Sequence, residues 1–259
     1  TGLPTGSVLL NALDATEQAN FNSSKVALLE HFPRMTDGTV SGEVDQVTPA
    51  AGANLVNYLR GQRGLENFGP NNVSTLYRTR EHTLGDIINA QPVFVKKPPF
   101  EYQDAGYDAY KGGAAATRKP MVYVGANDGM LHAFNADGDD KVGGTEEWAF
   151  IPTMVLPEIF RLAGANLDGN LVHKYNVDGT PTAGDIYDGA NWRSILVGGL
   201  NHGGRGYYAL DITDPDNPKG MWEFKYGACG SGLTTDCNLG ESFGNPIITK
   251  LKDGTWVVL

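Results

Sequence analysis

Met121-Val122-Tyr123-Val124-Gly125-Ala126-Asn127-Asp128-Gly129-Met130-Leu131-His132-Ala133-Phe134 is the stretch on which the fold turns. Two runs of aliphatic, aromatic and β-branched residues flank Ala126-Asn127-Asp128-Gly129, where Asn, Asp and Gly tolerate the positive φ of a tight turn. The stretch therefore predicts an antiparallel hairpin over Met121–Gly125 and Met130–Phe134. Trp148-Ala149-Phe150-Ile151 adds a following strand and Gln91-Pro92-Val93-Phe94-Val95 a preceding one. Successive antiparallel strands make a meander, the body of a propeller blade.

The same order returns downstream, with Ser194-Ile195-Leu196-Val197-Gly198, a glycine-rich turn through Gly203-Gly204, then Gly206–Asp211 and Met221-Trp222-Glu223-Phe224. The offset of about 73 to 76 residues exceeds the roughly 40–45 of a compact propeller repeat, so an insertion is expected. Val155–Leu162 reads as a short helix within it and His173-Lys174-Tyr175-Asn176-Val177 as an extra strand. A third unit starts at Asn245-Pro246-Ile247-Ile248-Thr249 and turns at Lys252-Asp253-Gly254-Thr255. Before residue 80 the pattern is helical instead, in Ser24–Phe32 and in Ala53–Gly61, where Leu55, Tyr58 and Leu59 share a face ahead of a glycine stop. The expected organisation is a mixed lead-in over residues 1–80 and, over 81–259, an all-β partial propeller of about three blades.

Composition agrees with many short strands. The 259 residues include 34 glycines and 14 prolines, with 41% hydrophobic and 19% charged content, enough to bury a core. A net charge of −10 argues against nucleic acid, whose phosphates need clustered Lys and Arg; the longest basic cluster is Lys96-Lys97. No stretch reaches the length of a membrane span. Thr1-Gly2-Leu3-Pro4 shows no signal peptide, and the final strand Thr255–Leu259 reads as cut off, so a fragment is expected whose signal and remaining blades lie outside it. An open part of a ring would leave strand edges exposed.

Several words of the sequence, taken together and in order, resemble the C-terminal β-propeller of the PilC/PilY pilus proteins. They are VYVGANDGMLHAF (122–134), WAFIP (148–152), HKYNVDGTP (173–181), WRSILVGG (192–199) and GGRGYYALDIT (203–213), preceded by LVNYLRG (55–61) and YRTREHTLGDI (77–87). The resemblance implies a modified seven-bladed propeller, export to the pilus tip, outer-membrane surface or periplasm of a Gram-negative bacterium, and roles in pilus assembly, surface adhesion and twitching motility. The implied partners are pilins, minor pilins and a host-cell or abiotic surface receptor. It also implies a calcium loop, which aligns downstream of this chain.

Individual residues offer further candidates. Asn135, Asp137, Asp139 and Glu146 fall at positions 1, 3, 5 and 12 of a calcium loop, which wants six to eight oxygens; Asp140 stands where such a loop needs glycine, and a solvated hairpin tip is the preferred reading. Asp211, Asp214 and Asp216, with Pro215 and Pro218, suit a rigid acidic turn. Cys229 and Cys237 bracket a polar loop that lets their sulfurs meet, which favours a local disulfide and an oxidising compartment. His132 alternates within a strand as a packing histidine, and neither His173 nor His202 has a ligand partner at metal spacing. The glycines at 198–199 and 203–206 lack the P-loop lysine of a phosphate cradle. Trp148, Trp192, Trp222 and Trp256 recur at strand positions suited to packing between sheets, with carbohydrate stacking as the alternative. No nucleophile elbow is present. The rival function is a pyrroloquinoline-quinone dehydrogenase with calcium, a propeller class that uses a vicinal disulfide; Cys229 and Cys237 are not vicinal. A structural outer-membrane scaffold is the third reading.

Overall fold

The Asn-Asp-Gly hairpin forms as expected. In the computed structural model, which describes residues 13–32, 45–69, 72–139, 141–164, 172–229 and 234–259, β2 (Met121–Gly125) and β3 (Leu131–Asn135) pair antiparallel with Val122 opposite Phe134 and Val124 opposite His132. Gly129 takes a φ of 92° and the Ala126 N–H closes the turn onto the Met130 carbonyl at 2.9 Å. β1 (Val93–Val95) and β4 (Glu146–Phe150) complete a four-stranded antiparallel sheet in the order β1-β2-β3-β4. β2 is buried on both faces, which is why its sequence is apolar throughout rather than alternating.

A second sheet repeats the first. It runs β5 (Thr182–Tyr187), β6 (Trp192–Gly199), β7 (Gly206–Asp211) and β8 (Lys219–Tyr226), with the two-residue β9 (Thr235–Asp236) added parallel to β8. The likeness extends to defects: the ladder slips just after Ala133 opposite Trp148 in the first sheet, and just after Ala209 opposite Trp222 in the second. β10 (Ile248–Lys250) and β11 (Trp256–Val258) form a third, two-stranded sheet. Ile248 and Val258 pack on Ile195, Val197 and Ala209 of the second sheet, together with Trp222.

His173–Val177 is not a strand. The first strand of the second sheet lies later, at Thr182–Tyr187, and Asn176 is instead a buried plug: its backbone N–H donates to Asn127 Oδ1 (3.0 Å) and its Nδ2 to the Asn127 carbonyl (2.7 Å). Asn89 joins successive sheets in a similar way, donating from Nδ2 to Asp178 Oδ2 at 2.7 Å. These strands belong to one compact unit, Asp86–Met154 with Tyr175–Leu259.

The other unit comprises Thr1–Gly85 and Val155–Lys174. Its helices are short, and the first two α-helices described are capped by side chains. Asp14 and Glu17 form a reciprocal capping box at Ala15–Gln18, and Asn22 caps Ser23–Val26. The helix expected across Ser24–Phe32 ends at Val26. Beyond it the chain tightens into i→i+3 bonds, Leu28 to Lys25 and Leu29 to Val26, which bury Leu29, His31 and Phe32 together. Ala53–Leu59 is helical and buries Leu55, Val56, Tyr58 and Leu59. The insertion is helical as expected, with Leu156–Ile159 followed by a 3₁₀ turn at Phe160–Ala163. Ile159 and Phe160 are fully buried in this unit. Among the described residues no helix is long and apolar enough to cross a membrane.

Candidate functional site

The hairpin tip singled out for calcium starts from Asn135, the last residue of β3. Its Oδ1 accepts the Asp137 N–H at 2.8 Å, and its Nδ2 donates to Glu147 at 2.9 Å. Asp211, the last residue of β7, does the same with the Thr213 N–H at 2.9 Å. Asn135 and Asp211 are thus the same turn-starting residue in two repeats. Asp139 accepts the Lys141 N–H at 2.9 Å, and Glu146 points back along the sheet to His132. Asp140 lies outside the described residues. No group of three or more His, Cys, Asp or Glu among the described residues is placed to hold a metal ion.

His132 has both ring nitrogens engaged. Nδ1 meets Glu146 Oε1 at 2.6 Å and Nε2 meets Asp128 Oδ2 at 3.0 Å, with the imidazole buried. Burial alone would push its pKa down, but the two carboxylate hydrogen bonds outweigh it and raise the value to about 9. An imidazolium clamped between two acids holds the turn against β4 and has no nitrogen left for a ligand or for base chemistry.

A buried polar cluster in this unit was not signalled by any motif. Asp185 of β5, almost fully buried, accepts hydrogen bonds from Tyr107 Oη (2.7 Å) and from Ser194 Oγ, and Ser194 also receives Arg118 Nη1 at 2.7 Å. Tyr107 belongs to a helix, Tyr107–Gly112, in the connection between β1 and β2, so the cluster ties that connection to the second sheet. Beside it Tyr102 stacks on Trp192, with ring centroids 5.7 Å apart, and meets Trp256 edge-on at 5.3 Å. In the other unit, buried Glu66 receives Arg80 Nε at 2.7 Å, while Arg80 also donates to the Tyr58 and Gln62 carbonyls and lies 3.7 Å from the Tyr58 ring centroid. Burial pushes the Glu66 carboxyl up, but the bonds from Arg80 and Arg63 hold it below the usual range.

Two features remain on the second sheet. A cavity of about 710 Å³ opens against its outer strands, walled by Ile195, Met221, Trp222, Phe224, Thr234 and Trp256. Cys229 and Cys237 are joined by a disulfide with Cα atoms 4.8 Å apart; Gly230 to Leu233, between them, lie outside the described residues. The glycines once weighed as a phosphate cradle serve close packing. A β-carbon on Gly203 would run into the Asn176 backbone, and one on Gly198 into the Tyr208 ring.

Residues 84–259 match the PilY1 β-propeller domain family. The chain belongs to that family. Among curated relatives, it is 43% identical over 252 residues to a type IV pilus biogenesis factor PilY1 homolog of Xylella fastidiosa strain Temecula1, covering 95% of this chain and 18% of the relative. It is 38% identical over 221 residues to the type IV pilus biogenesis factor PilY1 of Pseudomonas aeruginosa strain PAK, covering 83% of this chain and 17% of the relative. The chain thus spans under a fifth of these relatives' lengths. The solved C-terminal domain of Pseudomonas aeruginosa PilY1 is 35% identical, with a TM-score of 0.48 over 64% of this chain and 30% of that one. The family match takes in the four-stranded sheet, the five-stranded sheet and the β10–β11 hairpin, and the recurring words 122–134 and 192–213 coincide with β2–β3 and β6–β7.

Proposed function

We propose that this chain is a propeller portion of an exported, non-enzymatic protein of type IV pilus assembly, acting at the pilus tip, outer-membrane surface or periplasm. The observation that carries this reading is the similarity, over most of the chain, to proteins curated as type IV pilus biogenesis factors. The buried ionisable side chains support a binding rather than a catalytic role, since His132, Asp185 and Glu66 are each held in internal hydrogen bonds. Pilins and minor pilins are the proposed partners, with attachment to a host-cell or abiotic surface and twitching motility as consequences. The sheets act as a frame and the loops at their ends as the contact surface.

The test is deletion of the parent gene in its bacterium and its restoration with and without this segment. Surface pili, adherence and twitching that return only with the segment support the reading. Normal piliation without the segment would overturn it.

A further inference from the structure

β9 is the shortest strand among the described residues. Its two residues pair parallel with Lys225 and Tyr226, and the bonds from the Lys225 N–H to the Thr234 carbonyl (2.9 Å) and from the Gly227 N–H to the Asp236 carbonyl (3.2 Å) bracket that short ladder. The intervening Tyr226 N–H turns the other way, to the Arg205 carbonyl at 2.9 Å. A ladder of two residue pairs, whose bonds are each weak once the lost bonds to water are counted, does little to offset the entropy of ordering the residues that make it. The Cys229–Cys237 disulfide, placed immediately beyond the paired residues on both strands, closes the loop and removes much of that entropy from the competing open state. Cys229 is exposed and Cys237 half-buried, so a small dithiol reaches the bond. Thr234 stands beside Phe224 in the wall of the apolar cavity, so the position of β9 decides whether that wall is complete.

We propose that the Cys229–Cys237 disulfide is a redox latch that keeps β9 on β8. A dithiol reductant attacks one sulfur as its thiolate, the S–S bond breaks, and a mixed disulfide forms. The reductant's second thiol then displaces the cysteine. Two electrons and two protons pass to the protein, which now carries two thiols, and the reductant leaves as a disulfide. β9 then separates from β8, the Lys225 and Gly227 N–H groups open to solvent, and the cavity loses its Thr234 wall. Oxidation reverses each change.

The experiment is residue-resolved amide hydrogen exchange on the full chain, oxidised, reduced with dithiothreitol, and reoxidised, with thiols counted by alkylation and mass spectrometry. Lys225 and Gly227 are expected to exchange about tenfold faster or more after reduction, while Tyr226, Leu196 and Leu210 keep their protection, and reoxidation restores the first two. The Cys229→Ser/Cys237→Ser double variant should match the reduced chain. Unchanged exchange at Lys225 and Gly227 overturns the proposal, as does a bond that dithiothreitol leaves intact. Loss of protection at Leu196 and Leu210 on reduction also overturns it, because the disulfide would then be a general staple of the sheet.

Discussion

The hydroxyl end of the Tyr208 ring reaches over Gly198, its cross-strand partner, where a β-carbon would run into Cζ and Oη. The phenol is completely buried, and its hydroxyl has no hydrogen-bond partner among the described residues. Each residue therefore carries a separate expectation. Gly198→Ala should destabilise the chain by about 1–3 kcal/mol, the usual cost of forcing extra volume into a packed interior. Tyr208→Phe should stabilise it, by up to about 1 kcal/mol, because an unpaired hydroxyl is removed from an apolar site. Urea unfolding with an unchanged denaturant slope checks both.

His132 sets a limit on the alkaline side. Its pKa is raised from 6.5 to about 9 in the folded chain, so the stabilisation is complete below about 6.5 and is lost as pH rises through 9. The loss should be on the order of 1–3 kcal/mol, since Glu146 is half exposed and solvent screens part of the interaction. A His132→Gln chain should lack this pH dependence in thermal unfolding scans between pH 6 and 10.

Glu66 and Arg80 set the opposite limit. The Glu66 carboxyl is held below its ordinary value of 4.5, so its contribution is present above that pH and disappears as pH falls through the lowered folded value. Arg80→Met takes away the guanidinium buried with the Glu66 carboxylate, leaving it the part-exposed Arg63 and a backbone N–H, and should cost on the order of 3 kcal/mol. Glu66→Gln with Arg80→Met should recover part of that loss, which a double-mutant cycle by thermal unfolding would measure.

Calcium has a definite expected effect as well. The Asn135 side-chain oxygen already accepts a backbone N–H, and Glu146 already holds His132, so an ion would have to displace both. Addition of millimolar calcium to the chain is expected to leave its unfolding temperature unchanged. A rise that Asn135→Ala abolishes would show instead that the tip rearranges to bind the ion.

Most strands were legible because their apolar runs end in turn residues that work locally: Asn127-Asp128-Gly129 supplies the positive φ that the tight turn needs. β5 was not legible. Thr182-Ala183-Gly184-Asp185-Ile186-Tyr187 holds Gly184 because Ile248 packs directly over it, and Asp185 because Tyr107 and Ser194 donate to it. Both residues weaken strand propensity for reasons that exist only in the assembled unit. His173–Val177 carries the opposite signal, with Tyr and Val in place but Asn176 committed to plugging a neighbouring turn. The Glu66–Arg80 pair and the Asp185 cluster join residues whose spacing has no helical or strand period, so no pattern in the chain announces them.

The helical insertion has a consequence for the order in which the molecule is completed. Its residues Ile159 and Phe160 belong to the core of the unit that also contains Phe21, Leu55 and Tyr77, whereas the strand ladder of the β1–β4 sheet is complete at Phe150. A chain emerging from the ribosome or an export channel, amino end first, can close the β1–β4 sheet before the segment that precedes it has its full core. The part made first is thus finished second, and until residue 160 emerges its unsatisfied apolar surface is available to whatever chaperone accompanies the chain.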